Sequence, residues 1–161
     1  MVQTVFGQIE RPDRLISDYP MDESSSLERV VDIDFENLDI LKSDVNLWDA
    51  YPWLTPQGFR FILGCVARSS RECRVRDAMI IDAILDECSG LNQASESRDH
   101  WTDPFRPRWS TLKSSEIDVV GEWYDFLMES ESNDFNAERI TSSKRTLEWL
   151  REKDGDFVIL V

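Results

Sequence analysis

Apolar residues recur three and four positions apart in five stretches of the chain, and each stretch predicts an amphipathic helix. The first holds Leu38, Leu41, Val45 and Trp48. The second opens on Thr55 and Pro56, a capping hydroxyl before a proline at the first helical position, and continues through Phe59, Ile62, Leu63 and Val66. Gly58 and Gly64 lie inside it. Each weakens a helix by about 1 kcal/mol relative to Ala, so their presence predicts a neighbour at close approach. Ser69 and Ser70 are read as its end. The third helix is expected from Cys73 to Cys88, with Ile80, Ile81, Ile84, Leu85 and Cys88 on one stripe beside Asp77 and Gly90 as the stop. The fourth is capped by Ser114 or Ser115, with Asp118 placed for a weak capping box from Ser115. Its face is Ile117, Val120, Trp123 (or Tyr124) and Leu127. The last spans about 136–153, with Ile140, Leu147 and Leu150 inward.

Between these stretches the pattern changes. Residues 1–16 have a weak helical tendency broken at Pro12, and residues 17–34 are polar and acidic around Pro20 and three serines. Asp32, Asp34 and Glu36 alternate with Ile33 and Phe35, which suits a short edge strand or the approach to the first helix. Residues 91–110 read as one long loop carrying His100, Trp101, Phe105 and Trp109. The closing FVILV is either a short strand or an apolar tail on the body. The expected architecture is mainly α: a small domain of four to five helices over residues 36–161, with room for a short terminal strand. An acidic arm, or loosely packed extension, occupies residues 1–35.

The segment WDAYPWLTPQGFRFILGCVARSS resembles a bacterial family known as domain of unknown function 6714. In that family an aromatic-leucine-threonine-proline stretch leads into a helix beginning Gly/Ala-Phe-Arg-aromatic. Trp53, Leu54, Thr55, Pro56, Gly58, Phe59, Arg60 and Phe61 carry the match here. The stretches at Trp109–Leu112, Trp123–Leu127 and Leu147–Trp149 extend the likeness over roughly residues 38–152. The chain departs from the family in its loop at 91–110 and its acidic N-terminal part. The resemblance implies a small, mainly helical domain and brings no activity and no catalytic residue.

Composition supports a folded core. Of the 161 residues 41% are hydrophobic, and eight Phe, six Trp and three Tyr are far more than disordered chains carry. The formal net charge is −14, from 32 acids against 18 bases. Residues 1–50 hold 12 acids and 4 bases, residues 51–100 hold 7 and 6, and residues 101–161 hold 13 and 8. Such a surface repels phosphates and anionic lipid heads, and it attracts a basic protein. The start lacks a basic region followed by an apolar run, no stretch reaches the roughly 18 apolar residues of a membrane span, and three cysteines suit free thiols. A cytoplasmic location is the expectation.

The catalytic inventory is thin. His100 is the single histidine; beside Asp99 and Asp103 it is a candidate general base, although a lone loop histidine is more commonly a surface residue. No Gly-x-Ser-x-Gly elbow, Cys-x-x-Cys pair, zinc motif or Gly-rich phosphate loop occurs. Asp32-x-Asp34-x-Glu36 begins like a calcium loop, but Asn37 and Ser43 stand where glycine and glutamate are required. Asp82 and Asp86 lie one helical turn apart and are expected to face solvent. Arg68, Arg71, Arg74 and Arg76 form a modest basic cluster, which the acidic arm itself would pair. No catalytic residue, metal or cofactor is assigned.

The interaction candidates are the acids Asp22, Glu23, Glu28, Asp32, Asp34 and Glu36, and the rings Trp101, Phe105 and Trp109. Those rings alternate with Arg106 and Arg108, residue types enriched at binding hot spots. In the competing reading the rings plug the domain's own core, with the arginines stacked over them. The leading expectation is a non-enzymatic acidic protein that binds a basic protein, an immunity-like neutraliser being its concrete form. The alternatives are an enzyme or accessory subunit with a carboxylate-based site, and an acidic mimic of DNA. Direct nucleic-acid binding and membrane association are not expected.

Overall fold

A computed structural model describes residues 5, 10–17, 47–75, 78–90, 105–129 and 134–152. Helices hold 80% of them, and among the described residues no strand forms. The elements are α1 (Leu47–Ala50), a 3-10 turn (Tyr51–Trp53), α2 (Pro56–Cys73), α3 (Met79–Gly90), α4 (Phe105–Trp109), α5 (Ser114–Met128) and α6 (Asp134–Glu152). They fall into two compact units, Met1–Ala83 and Ile84–Val161, so the division lies within α3.

In the first unit, α2 begins as its sequence predicts. Thr55 is extended, its Oγ1 accepts the Gly58 N–H at 2.9 Å, and Pro56 takes the first helical position. Phe59, Ile62, Leu63 and Val66 are all buried. The end differs from the expectation. Ser69 and Ser70 do not stop the helix; they sit on its buried face, and α2 runs on to Cys73. The stop is Arg74, whose φ of 53° is left-handed without being glycine. The backbone N–H of Arg74 donates to Ser70 O, and Ser70 Oγ donates to Val75 O at 2.6 Å. Cys73 therefore closes α2 rather than opening α3.

The short α1 also corrects the expected face. Leu47 and Ala50 are buried, while Trp48 is 50% exposed. Leu38, Leu41 and Val45 lie outside the described residues.

Residues 10–17, within the expected arm, pair with the turn before α2. Ser17 N donates to Trp53 O at 2.8 Å, Thr55 N donates to Leu15 O at 3.0 Å, and Ile16 forms an isolated antiparallel bridge with Leu54. Leu15 and Ile16 are buried there. Gly58 makes this approach feasible. A Cβ at that position would stand 2.9 Å from the Leu15 carbonyl carbon and nearer still to its oxygen.

In the second unit, α5 buries Ile117, Val120 and Leu127 as predicted, both Trp123 and Tyr124 where one of the two was expected, and Val119 with them. Its cap is not Ser114 or Ser115. Lys113 precedes the helix, and its N–H donates to Glu116 Oε2 at 2.9 Å. A lysine ammonium cannot accept a hydrogen bond, so Glu116 supplies the only side-chain half of this capping box. Glu116 is buried, and Glu116→Ala would leave the Lys113 N–H without its acceptor. Urea denaturation should show a loss of about 1–2 kcal/mol for Glu116→Ala, against a few tenths for Ser115→Ala.

Helix α6 turns Ile140, Leu147 and Leu150 inward, as expected, together with Ser143 and Thr146. Residues 105–109 of the expected long loop form α4. The terminal FVILV lies outside the described residues.

Candidate interaction surface

The predicted partner-binding residues divide three ways. Asp22, Glu23, Glu28, Asp32, Asp34, Glu36 and Trp101 lie outside the described residues, as does His100. Phe105 opens α4. Trp109 closes α4 and is only 1% exposed, so for this ring the competing reading, a plug in the protein's own core, describes what is found.

Charge is unevenly shared between the described residues and the rest of the sequence. The described residues carry 16 acids and 13 bases. The remaining positions carry 16 acids and only 5 bases. The described residues are close to neutral, and most of the −14 belongs to the positions outside them.

On the helices themselves, opposite charges meet across α5 and α6. Asp118, Glu122 and Asp125 recur at spacings of four and three along α5, and Glu129 follows four positions on, just past its end. Arg151 on α6 pairs with Asp118 at 3.3 Å, and Lys144 pairs with Asp125 at 2.5 Å. In the first unit Trp48 and Met79 are exposed large apolar side chains. Arg60, Arg68 and Arg71 on α2 are half-buried and Arg74 is exposed, whereas Arg76 lies outside the described residues.

The second unit holds a charged interior that the sequence reading missed. Arg108, 4% exposed, stands 3.6 Å from the carboxylate of Glu87, itself 14% exposed. The neighbouring Asp86 pairs with Arg139 at 2.7 Å, and Arg139 also donates to Asn136 Oδ1 at 3.1 Å. Asp86 is otherwise solvated and Asp82 is exposed, as expected. The alternation of Arg106 and Arg108 with aromatic rings offered no signal that one arginine would enter the core.

Cys88 follows Glu87 into that interior. Its thiol donates to Ser143 O at 3.5 Å. Burial pushes this thiol up to about 12; the nearby Tyr124 and Ser143 hydroxyl side chains oppose the rise and the Glu87 charge adds to it. In the first unit burial pushes Cys65 up to about 11, partly offset by the Arg68 charge. Thiols held protonated and out of solvent are poor nucleophiles. All three cysteines are free, with Cys73 half-buried.

Among the described residues no group of three or more His, Cys, Asp or Glu side chains is placed to hold a metal ion. No described helix is long and apolar enough to cross a membrane. No family model, curated protein or solved structure matches the chain.

Proposed function

We propose that the protein is a non-enzymatic, acidic binding protein whose partner is a basic protein, in the manner of an immunity protein that neutralises its target. One observation carries the reading: outside the described residues acids outnumber bases 16 to 5, while the described residues, with 16 acids and 13 bases, are nearly balanced. A surplus of negative charge steers a cationic partner toward the protein. The six acids from Asp22 to Glu36 and the ring of Trp101 are the proposed contacts, acting in the cytoplasm. The two deeply buried cysteines, both held protonated, supply no competing nucleophile. Kinship with domain of unknown function 6714 is proposed alongside. It rests on residues 53–61, which form the turn and capped start of α2.

The test is capture from native lysate on the immobilised protein, eluted in steps of rising salt. A single basic protein released at moderate salt is the expected result, because exposed charges are screened over about 8 Å at physiological ionic strength. A retained partner whose binding is indifferent to salt would overturn the electrostatic reading. Displacement of that partner by duplex DNA would redirect it to mimicry of nucleic acid.

A further inference from the structure

Helix α6 is seated differently from α5. Its described side chains bury three large apolar residues, Ile140, Leu147 and Leu150, whereas the shorter α5 buries six. Two further inward positions on α6 are hydroxyls, Ser143 and Thr146, at 0% and 4% exposure. With Ser142 they donate across to main-chain carbonyls of α3. Ser143 Oγ reaches Leu85 O at 3.2 Å, Thr146 Oγ reaches Cys88 O at 2.9 Å, and Ser142 Oγ reaches Ser89 O at 3.3 Å. Cys88 and Ser89 are among the last four residues of α3, whose carbonyls have no donor within their own helix. The end of α3 is therefore capped by α6.

The middle of α6 has little helical strength of its own. Residues 141–146 read TSSKRT, and hydroxyl side chains compete for the backbone. Thr141 Oγ1 donates to Ala137 O at 2.8 Å, and Thr146 Oγ1 also contacts Ser142 O at 3.3 Å. The ion pairs of Arg139, Lys144 and Arg151 each involve at least one exposed partner and add little.

We infer that α6 and the α6-capped end of α3 open as one cooperative unit: α6 leaves its seat on α3 and α5, and the end of α3 loosens with it, without unfolding of the rest. The hydroxyls that seat α6 are the groups that complete α3, so the two segments lose their bonds together. Opening exposes Cys88, which is fully buried when α6 is docked. A segment that buries few large apolar side chains and seats on a polar seam falls toward the low-stability end of a fold, from which switching elements are drawn.

Native-state hydrogen exchange on the full chain, read peptide by peptide across a denaturant series, tests this. Peptides covering 137–150 and 85–90 should exchange together, with protection at least about tenfold below that of 117–127 and with a weaker denaturant dependence. Labelling of Cys88 by a maleimide should follow that same opening, and Thr146→Val should speed it by about tenfold through loss of one end-carbonyl bond. Protection of α6 equal to that of α5, with the same denaturant dependence, would overturn the inference. So would an α3 end that stays protected while α6 opens, or Cys88 labelling unmoved by Thr146→Val.

Discussion

Arg108→Ala is expected to destabilise the protein by about 3 kcal/mol, because it leaves a mostly buried carboxylate without its counter-charge. Arg108 is 4% exposed and Glu87 14%, so neither charge is well hydrated in the folded state. Removing one partner of a buried pair costs about 3–5 kcal/mol. The lower end applies here, since Glu87 keeps enough exposure to draw in water. Shortening this buried side chain also vacates interior space, which adds a packing loss. The comparison that isolates charge is Arg108→Met combined with Glu87→Leu. Taking both charges away should cost less than Arg108→Ala alone, and urea unfolding of the two variants measures the difference. A double variant at least as destabilised as Arg108→Ala would show that the arginine acts through packing.

The second large effect runs against helix propensity. At an ordinary helical position Gly→Ala stabilises by up to about 1 kcal/mol. Gly58→Ala should instead destabilise by about 3 kcal/mol. The added methyl would overlap the Leu15 carbonyl, whose backbone atoms cannot rotate aside, and would crowd Thr55 Oγ1. Segment 10–17 must then lift from the turn. It would lose the Thr55–Leu15 and Ser17–Trp53 hydrogen bonds and the burial of Leu15 and Ile16. Each of those side chains contributes about 1.5–3 kcal/mol when fully buried, and part is retained if the segment resettles. Denaturation gives the magnitude, and faster proteolytic cutting within residues 10–17 would locate the cause. A Gly58→Ala protein as stable as the parent would show that segment 10–17 does not bear on α2.

These two positions show what periodicity reveals and what it hides. The faces of α2, α3 and α5 were legible because Phe59, Ile62, Ile84, Val120 and Leu127 repeat at helical spacing, and burial follows that spacing. The start of α2 was legible because Thr55 and Pro56 are a local signal read over four residues. Ends were harder. Arg74 adopts a left-handed conformation that its own side chain does not favour, so no glycine announced the stop. The α5 cap came from a glutamate reaching backwards rather than from either serine. Gly58 did predict a close neighbour, but nothing local said that Leu15, more than forty positions earlier, would be it.

The candidate site was less legible than the fold. An arginine beside aromatic residues has the same local pattern whether it faces a partner or a buried carboxylate, and Arg108 took the second course. The hydroxyl seam between α6 and α3 was invisible for the same reason. Ser143 and Thr146 read as breaks in an apolar stripe, and only the facing carbonyls of Leu85 and Cys88 give them a role. Net charge, in contrast, needs no geometry to be read, and it is what supports the proposed function.

The most direct test of that function neutralises the six acids proposed as contacts. A variant with Asp22, Asp32 and Asp34 changed to Asn, and Glu23, Glu28 and Glu36 changed to Gln, keeps size and polarity while removing six negative charges. Its dissociation constant for the captured basic partner would be measured beside the parent's at low and at physiological ionic strength. The account predicts a loss of about tenfold or more at low salt and a flatter dependence on salt. Equal affinity and equal salt dependence for variant and parent would contradict it.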